Sequence, residues 1–396
     1  MRSRGVHYGD GAISRTPEVV AGRGAGRVLL VCGARSFEAS GAARMLPALT
    51  EVAQVRRWSE FAPNPDAADL RQGLAIAEEF APDLVLGVGG GSALDMAKLL
   101  CAFRGLTDEA KLREAIRSGE AVTAREVSLV LAPTTSGSGS EATHFAVVYI
   151  GDHKYSVAGP AMRPDVVMLD PALTLSGSPY QRATSGIDAV AQAIESLWAV
   201  GATDRSRHWA GRALGLMLPA IEAYVTAPAG PPGEAGARVP DAGAGVPDAA
   251  RAMAIGSHLA GRAIDISRTT GAHALSYAIT KRYGVSHGHA VALTLGAFIE
   301  AHAAAPAAAL QVDPARHQQA VREIVRRLGA ADGAGARARF NELLARLGLT
   351  TSLHEVGART PQQRREIAEA VNAQRLGNNP VRFTPRELAQ LVDGIG

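Results

Sequence analysis

Short apolar runs alternate with amphipathic runs through the first half of the chain. The apolar runs have the length of strands and cover residues 27–32, 52–58, 83–88, 127–132 and 165–169. The amphipathic runs repeat at helical spacing and cover residues 66–80 and 92–103. This alternation predicts an α/β domain with a parallel sheet covered by helices on both faces, and a hairpin at 142–158 that turns at Gly151 and Asp152.

From Pro179 onward the spacing of apolar residues is helical. The predicted helices cover residues 185–197, 249–266, 314–328, 337–347, 360–374 and 384–394, with a further pair inside 269–295. Residues 227–248 interrupt this pattern, because they are rich in Pro, Gly and Ala and have no periodicity, and we predict a mobile surface loop there. The chain is thus predicted to form an α/β domain at 1–178 and an all-helical domain at 179–396.

Composition limits the classes of function. Hydrophobic residues make up 47% of the 396 residues and charged residues 20%, so the chain can bury a large core. The net charge is +3 and no dense run of Lys and Arg occurs, which argues against a nucleic-acid partner. No apolar stretch is long enough to span a membrane, and the N-terminus lacks a signal-peptide core. We expect a cytoplasmic protein in which Cys32 and Cys101 are buried thiols.

The segment from Thr269 to Leu295 carries His273 and His287. The first histidine lies within a predicted helix that Gly284 ends, and the second lies at the start of the next helix. A folded-back helix pair would bring both imidazoles to one metal ion. The alternative is that both histidines are hydrogen-bonded core residues. The chain has 11 histidines, and a buried histidine is more often such a residue than a metal ligand.

A second helix offers oxygen ligands. Asp188 and Gln192 lie four positions apart, hence on one face of helix 185–197. One carboxylate, one amide oxygen and two imidazoles form a mixed donor set that suits a divalent first-row metal. The alternative places Asp188 at a helix cap and Gln192 in solvent. However, apolar residues surround Asp188 in the sequence, and a buried carboxylate needs a partner.

Two polar loops follow predicted strands, at the edge where open α/β sheets bind ligands. The sequence GGGS at 89–92 opens a helix, where its backbone N–H groups can approach a pyrophosphate. The sequence PTTSGSGSE at 133–141 is rich in hydroxyl groups. The alternative for residues 89–92 is a tight strand-to-helix turn, but three consecutive glycines exceed what such a turn requires. The alternative for residues 133–141 is a flexible surface loop.

Together these motifs resemble those of the iron-containing, or group III, alcohol dehydrogenases. The GGGS turn, the TTSGSGSE loop, the sequence GIDA at 186–189 and the two histidines occur in that family's order across nearly the whole chain. The resemblance implies a nucleotide-binding α/β domain, an all-α domain, the dehydroquinate synthase-like fold and a homodimer. The implied ligands of Fe(II) or Zn(II) are Asp188, Gln192, His273 and His287. The implied catalytic residues are Asp188, His273, His287 and Tyr277.

Two of these positions depart from the family pattern. Gln192 replaces a histidine ligand, and Tyr277 replaces a further histidine near the substrate. Glutamine can coordinate a hard cation, so we still expect a metal. The implied reaction is metal-assisted transfer of hydride from NAD(P)H to an aldehyde, with Tyr277 or His289 as candidate proton sources.

The resemblance also implies a nucleotide site. Its candidate residues are Gly33, Arg35, Ser36, Asn64, Gly89, Gly90, Gly91, Ser92, Asp95, Thr134, Thr135, Ser138 and Lys154. Many NAD-using relatives have an aspartate at the end of the first strand, where this chain has Gly33. Loss of that acid removes repulsion of a 2′-phosphate, which Arg35 and Ser36 can bind, so NADPH is the expected cofactor and NADH is possible.

Further sequence blocks resemble the phosphonoacetaldehyde reductases, a subgroup that reduces phosphonoacetaldehyde to 2-hydroxyethylphosphonate in phosphonate biosynthesis. These blocks are FEASG (37–41), DHKYS (152–156), QAIESLW (192–198), SRTT (267–270) and HALSY (273–277). A phosphonate dianion needs fixed cations and hydroxyl groups. The candidate substrate residues are Arg268, Thr269, Thr270 and His144. The alternative for Arg268 is a surface charge at a helix start, which is an unusual site for a cation because the helix dipole disfavours it there.

Three alternative functions stay open. One is a general short-chain alcohol dehydrogenase or aldehyde reductase of the same family. Another is a dehydroquinate synthase-like lyase, which would need more basic residues around its substrate. The third is a nucleotide-binding sensor in which Gln192 and Tyr277 mark a degraded metal site.

Overall fold

The structure is a computed structural model that describes residues 5–119, 124–151, 153–228 and 246–395. Contacts divide the chain into two compact units, of which the first contains Met1–Ser178 and Ala227–His258 and the second contains Pro179–Thr226 and Leu259–Gly396. The predicted division instead assigned all residues after 178 to the helical domain.

Residues 249–258 belong to the first unit because their side chains pack there. Ala254 joins a hydrophobic cluster with Val167 and Leu169, and His258 Nδ1 lies 3.1 Å from Glu141 Oε1. Most of the loop predicted at 227–248 lies outside the described residues. Its last three residues are helical, so the prediction of a loop is wrong there.

A parallel sheet of six strands forms the centre of the first unit. The strands of this unit are β1 (Gly5–Tyr8), β2 (Arg27–Cys32), β3 (Gln54–Trp58), β4 (Leu84–Gly89), β5 (Ser128–Pro133), β6 (Phe145–Ile150), β7 (His153–Ala158) and β8 (Val166–Leu169). The sheet has the order β1-β8-β5-β4-β2-β3, and its strands pair in parallel. The predicted parallel sheet is therefore confirmed. β6 and β7 form the predicted antiparallel hairpin, whose turn residue Asp152 lies outside the described residues.

Helices cover both faces of this sheet. They are α1 (Thr16–Gly22), α2 (Ser36–Ala39), α3 (Leu46–Val52), α4 (Ala67–Phe80), α5 (Gly91–Ala102) and α6 (Glu109–Ser118). The predicted helices α4 and α5 are confirmed, whereas the prediction missed β1, α1, α2, α3 and α6. The first four of these missed elements have four to seven residues, which is too short for a helical or alternating pattern to stand out.

The burial of both sheet faces is visible within a single strand. Leu29 and Leu30 are adjacent in β2, yet they belong to two different hydrophobic cores. Burying each of these side chains stabilises the fold by roughly 1.5–3 kcal/mol. This two-sided burial explains why the strands are continuous apolar runs in the sequence. Cys32 and Cys101 are free thiols in these two cores, as predicted.

Helices form the second unit, and the helix Val246–Ser267 is divided between the two units at His258. Following α6, the helices are α7 (Pro179–Trp198), α8 (Asp204–Thr226), α9 (Val246–Ser267), α10 (Gly271–Tyr283), α11 (His287–Ala304), α12 (Pro314–Arg327), α13 (Gly333–Arg346), α14 (Pro361–Glu369), α15 (Ala373–Leu376) and α16 (Pro385–Asp393). The single helix predicted at 360–374 is wrong, because Asn372 caps a separate helix α15 with its side chain. In the described part of the chain, the search for a helix long and apolar enough to cross a lipid bilayer finds none.

A buried polar cluster lies in the second unit. His302 of α11 and His317 of α12 are 1% and 3% exposed, and 3.4 Å separates His302 Nδ1 from His317 Nε2. His302 Nε2 lies 3.2 Å from Asn379 Oδ1, and the ring of Trp198 packs against His302. Burial lowers the pKa of both imidazoles, and the neighbouring His317 lowers the pKa of His302 further.

We expect the free energy of unfolding to fall as the pH drops below the ordinary histidine pKa of about 6.5. In the unfolded chain both histidines take up protons near that pH, whereas the folded chain resists their protonation, so stability is lost with acidification. Each histidine contributes a slope of up to about 1.4 kcal/mol per pH unit. The His317→Leu variant should therefore show a shallower pH dependence in urea-unfolding measurements. The variant His354→Gln changes an exposed histidine and should keep the wild-type slope. An unchanged slope in His317→Leu would contradict this account.

Candidate metal centre and nucleotide-binding loops

Three helices of the second unit bring Asp188, His273 and His287 together. Asp188 lies in α7, His273 lies in α10, and α11 begins at His287. One potential ligand atom from each of the three residues lies within 4.8 Å of the other two. Gly284 ends α10 with a φ angle of +68°, so the chain folds back into α11 as the sequence pattern predicts.

Gln192 lies one turn after Asp188 on the same helix. The two side chains are 4% and 6% exposed, and Gln192 Nε2 donates a hydrogen bond to Asp188 Oδ2 at 3.1 Å. Both residues lie well inside α7, so the alternative with Asp188 as a cap and Gln192 in solvent is wrong. Since the amide nitrogen donates to the carboxylate, the amide oxygen is the atom of Gln192 that can act as a ligand.

Gly288 permits the close approach of α11 to α7. A Cβ atom at position 288 would lie 1.9 Å from the Thr184 carbonyl oxygen and 2.8 Å from Asp188 Cβ. Any larger residue would push the start of α11, and His287 with it, away from Asp188. Sequence reasoning assigned no role to this glycine, although its place directly after His287 was a signal.

Glu195 is a fully buried carboxylate that sequence reasoning also missed. Its Oε1 accepts hydrogen bonds from Thr270 Oγ1 and the Ala272 N–H, both at 2.9 Å, and its Oε2 is hydrogen-bonded to His273 Nδ1. An ionised carboxylate only accepts hydrogen bonds, so Nδ1 of His273 carries a proton. The other ring nitrogen, Nε2, lies 3.3 Å from Asp188 Oδ1. The helical spacing of Asp188, Gln192 and Glu195 was the available signal.

The charges around His273 favour a cation. Burial by itself lowers the pKa of His273, but the Glu195 and Asp188 carboxylates outweigh burial and raise it to about 10. Burial raises the pKa of Glu195, but the charge of His273 and hydrogen bonds bring it below its ordinary value. Two carboxylates thus converge on one imidazole in a buried position, which a proton or a metal ion can neutralise. Together with His287 and Gln192, this donor set fits a divalent metal ion.

Tyr277 and His289 lie in different settings. The ring of Tyr277 stacks on His287, with 6.0 Å between ring centroids and 11° between planes. His289 is buried, and its Nε2 lies 2.9 Å from the Thr350 carbonyl oxygen, while its Nδ1 lies 3.3 Å from the Tyr180 hydroxyl oxygen. Burial lowers the pKa of His289, so its imidazole is neutral near pH 7.

Arg268 lies in the turn between α9 and α10 and is half-buried, so the alternative of a surface charge is wrong. It follows Ser267, the last residue of α9, and its φ angle of +61° lies in the left-handed region. Its backbone N–H donates to the Ile264 carbonyl oxygen at 3.0 Å. The C-terminus of α9 favours a cation at this position, whereas the N-terminus of α10, three residues later, disfavours it. Thr269 and Thr270 are buried and lead into α10.

In the first unit, the predicted nucleotide residues follow the C-terminal ends of strands. Gly33, Arg35 and Ser36 come after β2, and residues 89–92 join β4 to α5. β2 and β4 are neighbours, but the chain leaves them in opposite directions across the sheet, towards β3 and β5 respectively. Such a switch point is where open α/β sheets bind their ligands.

The loops after β4 and β5 pack closely against each other. A Cβ atom at Gly91 would lie 2.9 Å from Ser138 Cβ, and one at Gly90 would lie 3.5 Å from Thr135. In the loop after β5, Ser136 Oγ is buried and has no hydrogen-bond partner in the described part of the chain. The backbone at the start of α5 and this hydroxyl group fit a nucleotide pyrophosphate.

Three further predicted residues lie around these loops. The Asn64 N–H donates to Ser92 Oγ at 3.1 Å, and Asn64 has a φ angle of +65°. The Thr134 N–H donates to the Gly89 carbonyl oxygen at 2.9 Å and so joins the two loops. His144 lies directly before β6 and is half-buried.

Asp95 and Lys154 contribute to a charged cluster within the first unit. The Asp95 carboxylate accepts hydrogen bonds from the Ser140 hydroxyl and from the Val147 N–H. Burial raises the pKa of Asp95, while the charges of Lys98 and Lys154 act in the opposite direction. Asp95 therefore ties α5 to the polar loop and to β6, and the fully buried Lys98 is a residue that sequence reasoning missed.

Comparison with known proteins extends over the whole chain. The family described as iron-containing alcohol dehydrogenase matches residues 3–171, and the C-terminal part of the Fe-containing alcohol dehydrogenase family matches residues 182–395. A phosphonoacetaldehyde reductase of Streptomyces viridochromogenes is 32% identical over 406 residues, which cover 99% of this chain and 95% of that protein. Long-chain-alcohol dehydrogenase 1 of Geobacillus thermodenitrificans is 30% identical over 292 residues, or 73% of this chain and 69% of that protein.

A solved structure shares the fold. The crystal structure of sulfoacetaldehyde reductase from Bifidobacterium kashiwanohense, in complex with NAD⁺, superposes with a TM-score of 0.84 at 24% identity. The match covers 100% of this chain and 97% of that chain. The α/β sheet followed by a helical region is therefore an architecture known from experiment.

We expect the variant Glu195→Gln to bind a divalent metal about 10- to 100-fold more weakly than the wild type. If the glutamine carbonyl keeps the hydrogen bonds from Thr270 and Ala272, its amide nitrogen faces His273 Nδ1. That nitrogen must then accept a hydrogen bond, and the ring proton moves to Nε2, which loses the lone pair needed for a metal ion. Competition titration with Zn²⁺ and a chromophoric chelator measures this affinity.

Glu222→Gln is the matched control for this measurement. Glu222 pairs with Arg346 near the surface of the same unit, so the identical chemical change occurs outside the metal centre. This control should bind Zn²⁺ like the wild type. Equal Zn²⁺ affinity in Glu195→Gln and the wild type would show that Glu195 does not orient His273.

Proposed function

This chain belongs to the iron-containing alcohol dehydrogenase family and is an NAD(P)-linked oxidoreductase, and from this premise we propose that it reduces phosphonoacetaldehyde to 2-hydroxyethylphosphonate. The main observation in support of this substrate is Arg268, a half-buried cation in the segment that leads to His273. A fixed guanidinium there suits an aldehyde with an anionic group. The similarity to a phosphonoacetaldehyde reductase over 99% of the chain supports the same substrate.

The proposed metal ligands are Asp188, Gln192, His273 and His287. Fe(II) or Zn(II) held by these residues would supply Lewis-acid polarisation of the aldehyde carbonyl. Glu195 keeps a proton on His273 Nδ1 and so directs the Nε2 lone pair towards the ion. The hydrogen bond from Gln192 to Asp188 fixes both side chains in the same cluster.

The proposed hydride donor is NADPH, bound at the switch point of the parallel sheet. A Cβ atom at Gly33 would lie 2.2 Å from Ser36 Oγ, so an aspartate that recognises a ribose hydroxyl cannot occupy position 33 without displacing Ser36. Arg57 donates to the Ala34 carbonyl oxygen at 3.1 Å and pairs with Glu38 at 2.9 Å, so it holds this turn while Arg35 is the cation offered to the cofactor. The loss of the aspartate and the presence of Arg35 both suit a 2′-phosphate.

A hydrogen-bonded chain near His287 supports a route for the proton that the product requires. The Ser286 hydroxyl donates to the Tyr180 hydroxyl oxygen at 3.2 Å, and that oxygen lies 3.3 Å from His289 Nδ1. Tyr180 is 46% exposed, so this chain reaches water. Proton supply through His289 is therefore the proposed route, with Tyr277 as the second candidate because it stacks on His287.

The second candidate function is a general aldehyde reductase of the same family. The similarity to a long-chain-alcohol dehydrogenase over 73% of the chain favours it. Such an enzyme would handle neutral aldehydes as well as charged ones. The two functions therefore differ in what Arg268 contributes, which is a difference in substrate selectivity that kinetics can resolve.

NADPH oxidation by protein loaded with Fe(II) without oxygen tests the proposed function. We expect kcat/KM for phosphonoacetaldehyde to exceed that for propanal by about 10- to 100-fold, because a buried cation gains a charge-assisted hydrogen bond only from the anion. Sulfoacetaldehyde, with a single negative charge, should fall between them. Equal values for phosphonoacetaldehyde and propanal would favour the general reductase. Absence of turnover with Fe(II) and Zn(II) would contradict both functions.

Cofactor selectivity provides a separate prediction. The wild type should use NADPH more efficiently than NADH, and Arg35→Gln should lower the ratio of the two kcat/KM values about 10-fold, because one charged contact to the 2′-phosphate is lost. Initial rates at varied cofactor concentration measure this ratio. Arg117→Gln, which changes an exposed arginine on α6, is the control and should keep the wild-type ratio. A wild-type preference for NADH would refute the assignment of Arg35.

A further inference from the structure

The turn between α9 and α10 is held by a side chain from a distant part of the second unit. Asn378 Nδ2 donates to the carbonyl oxygens of Ser267 at 2.8 Å and Thr269 at 3.0 Å, on either side of Arg268. The Ser267 hydroxyl also donates to the Arg268 carbonyl oxygen at 3.0 Å. A left-handed conformation of a residue other than glycine persists only where its surroundings enforce it. These bonds therefore fix the point from which the Arg268 side chain leaves the backbone.

A hydrogen bond also joins the short helix α15 to the start of α10, the helix that follows this turn. The Asn372 N–H, directly before α15, donates to the Ala274 carbonyl oxygen at 3.3 Å, next to His273. Asn378, which hydrogen-bonds to the turn at Arg268, lies two residues after the end of α15. The Asn372 side chain accepts from the Arg375 N–H at 2.9 Å and caps the helix. The backbone of Arg375 is thus held against the segment that carries Arg268 and His273.

Arg268 and Arg375 lie on two segments that hydrogen bonds hold together, and the positive charge of Arg375 acts on Arg268. Burial lowers the pKa of Arg268 and the charge of Arg375 lowers it further, to about 10, while Asp265 acts in the opposite direction. Within the described ranges, Arg375 makes no ion pair with a carboxylate. Like charges in a partly desolvated position repel each other, and an anionic ligand that contacts both guanidinium groups would reduce this repulsion. Sites that combine such charges are candidates for ligand binding.

We propose that Arg375 and Arg268 together form the binding site for the phosphonate group of the substrate. This inference rests on the proposed function and adds a specificity-determining residue to it. Two guanidinium groups match the charge and the several oxygens of a phosphonate dianion. A sulfonate carries one charge and interacts less strongly with the pair, and a neutral aldehyde has no group for it.

Substitution of Arg375 tests the proposal. In Arg375→Gln we expect the KM for phosphonoacetaldehyde to rise about 10- to 100-fold, with a much smaller change in kcat. The ratio of kcat/KM for phosphonoacetaldehyde to that for propanal should fall accordingly. Arg375→Lys retains the charge and should recover part of the loss. Arg386→Gln removes an exposed arginine on α16 and should keep the wild-type ratio.

Inhibition by substrate fragments gives a readout that is independent of turnover. Methylphosphonate should inhibit propanal reduction by the wild type more strongly than methanesulfonate does, and Arg375→Gln should lose most of this difference. If the wild type prefers phosphonoacetaldehyde and Arg375→Gln keeps both preferences, the role of Arg375 is overturned while the proposed function stands. If the wild type has no preference for phosphonoacetaldehyde over propanal, the proposed function fails first and this site fails with it.

A double variant tests whether the two arginines share one anion. Arg268→Gly removes the side chain and tolerates the left-handed backbone. If both guanidinium groups bind the same phosphonate, the loss of kcat/KM in the double variant Arg268→Gly/Arg375→Gln should be smaller than the product of the two single losses. Losses that multiply would overturn the shared site.

Discussion

The hydrogen bond between Glu195 and His273 is the interaction on which the rest of the candidate metal centre depends. A carboxylate with no exposed surface is costly unless every oxygen is paired, and Glu195 meets this demand through Thr270, Ala272 and His273. Trp198 Nε1 in turn donates to Thr270 Oγ1 at 3.0 Å. The bonds that satisfy one buried charge thus join α7 to the start of α10 and set the direction of the His273 ring.

Packing positions the other candidate ligands around the His273 ring. Gly288 lets α11 approach α7 so closely that His287 lies beside Asp188, and Gln192 completes the cluster from the same face of α7. The turn that precedes α10 carries Arg268, and α15 brings Arg375 to the same segment. His273 of the proposed metal centre and Arg268 of the proposed anion site therefore lie on one short stretch of backbone, an arrangement that would help to orient a small charged aldehyde.

The proposed nucleotide site depends on different interactions from those of the candidate metal centre. It requires backbone N–H groups and hydroxyl groups at the ends of parallel strands, not buried charge. The first unit supplies these at the switch point between β2 and β4, where glycines allow the loops to pack together. The two proposed sites thus use different chemistry: backbone dipoles and hydroxyl groups would bind a phosphate in the first unit, and paired carboxylates would bind a cation in the second.

Local patterns by themselves predicted the parallel sheet, most of the long helices except α8, the break at Gly284 and the candidate ligands, because these features depend on residues near each other in sequence. Contacts between distant segments decided the rest. Glu195 meets His273 across 78 positions, and Asn378 fixes the turn at Arg268 from 109 to 111 positions away. The same is true of residues 249–258, which join the first unit through side-chain packing on β8. Sequence spacing predicts which side chains share a helix face, but only the folded chain shows which of those faces meet.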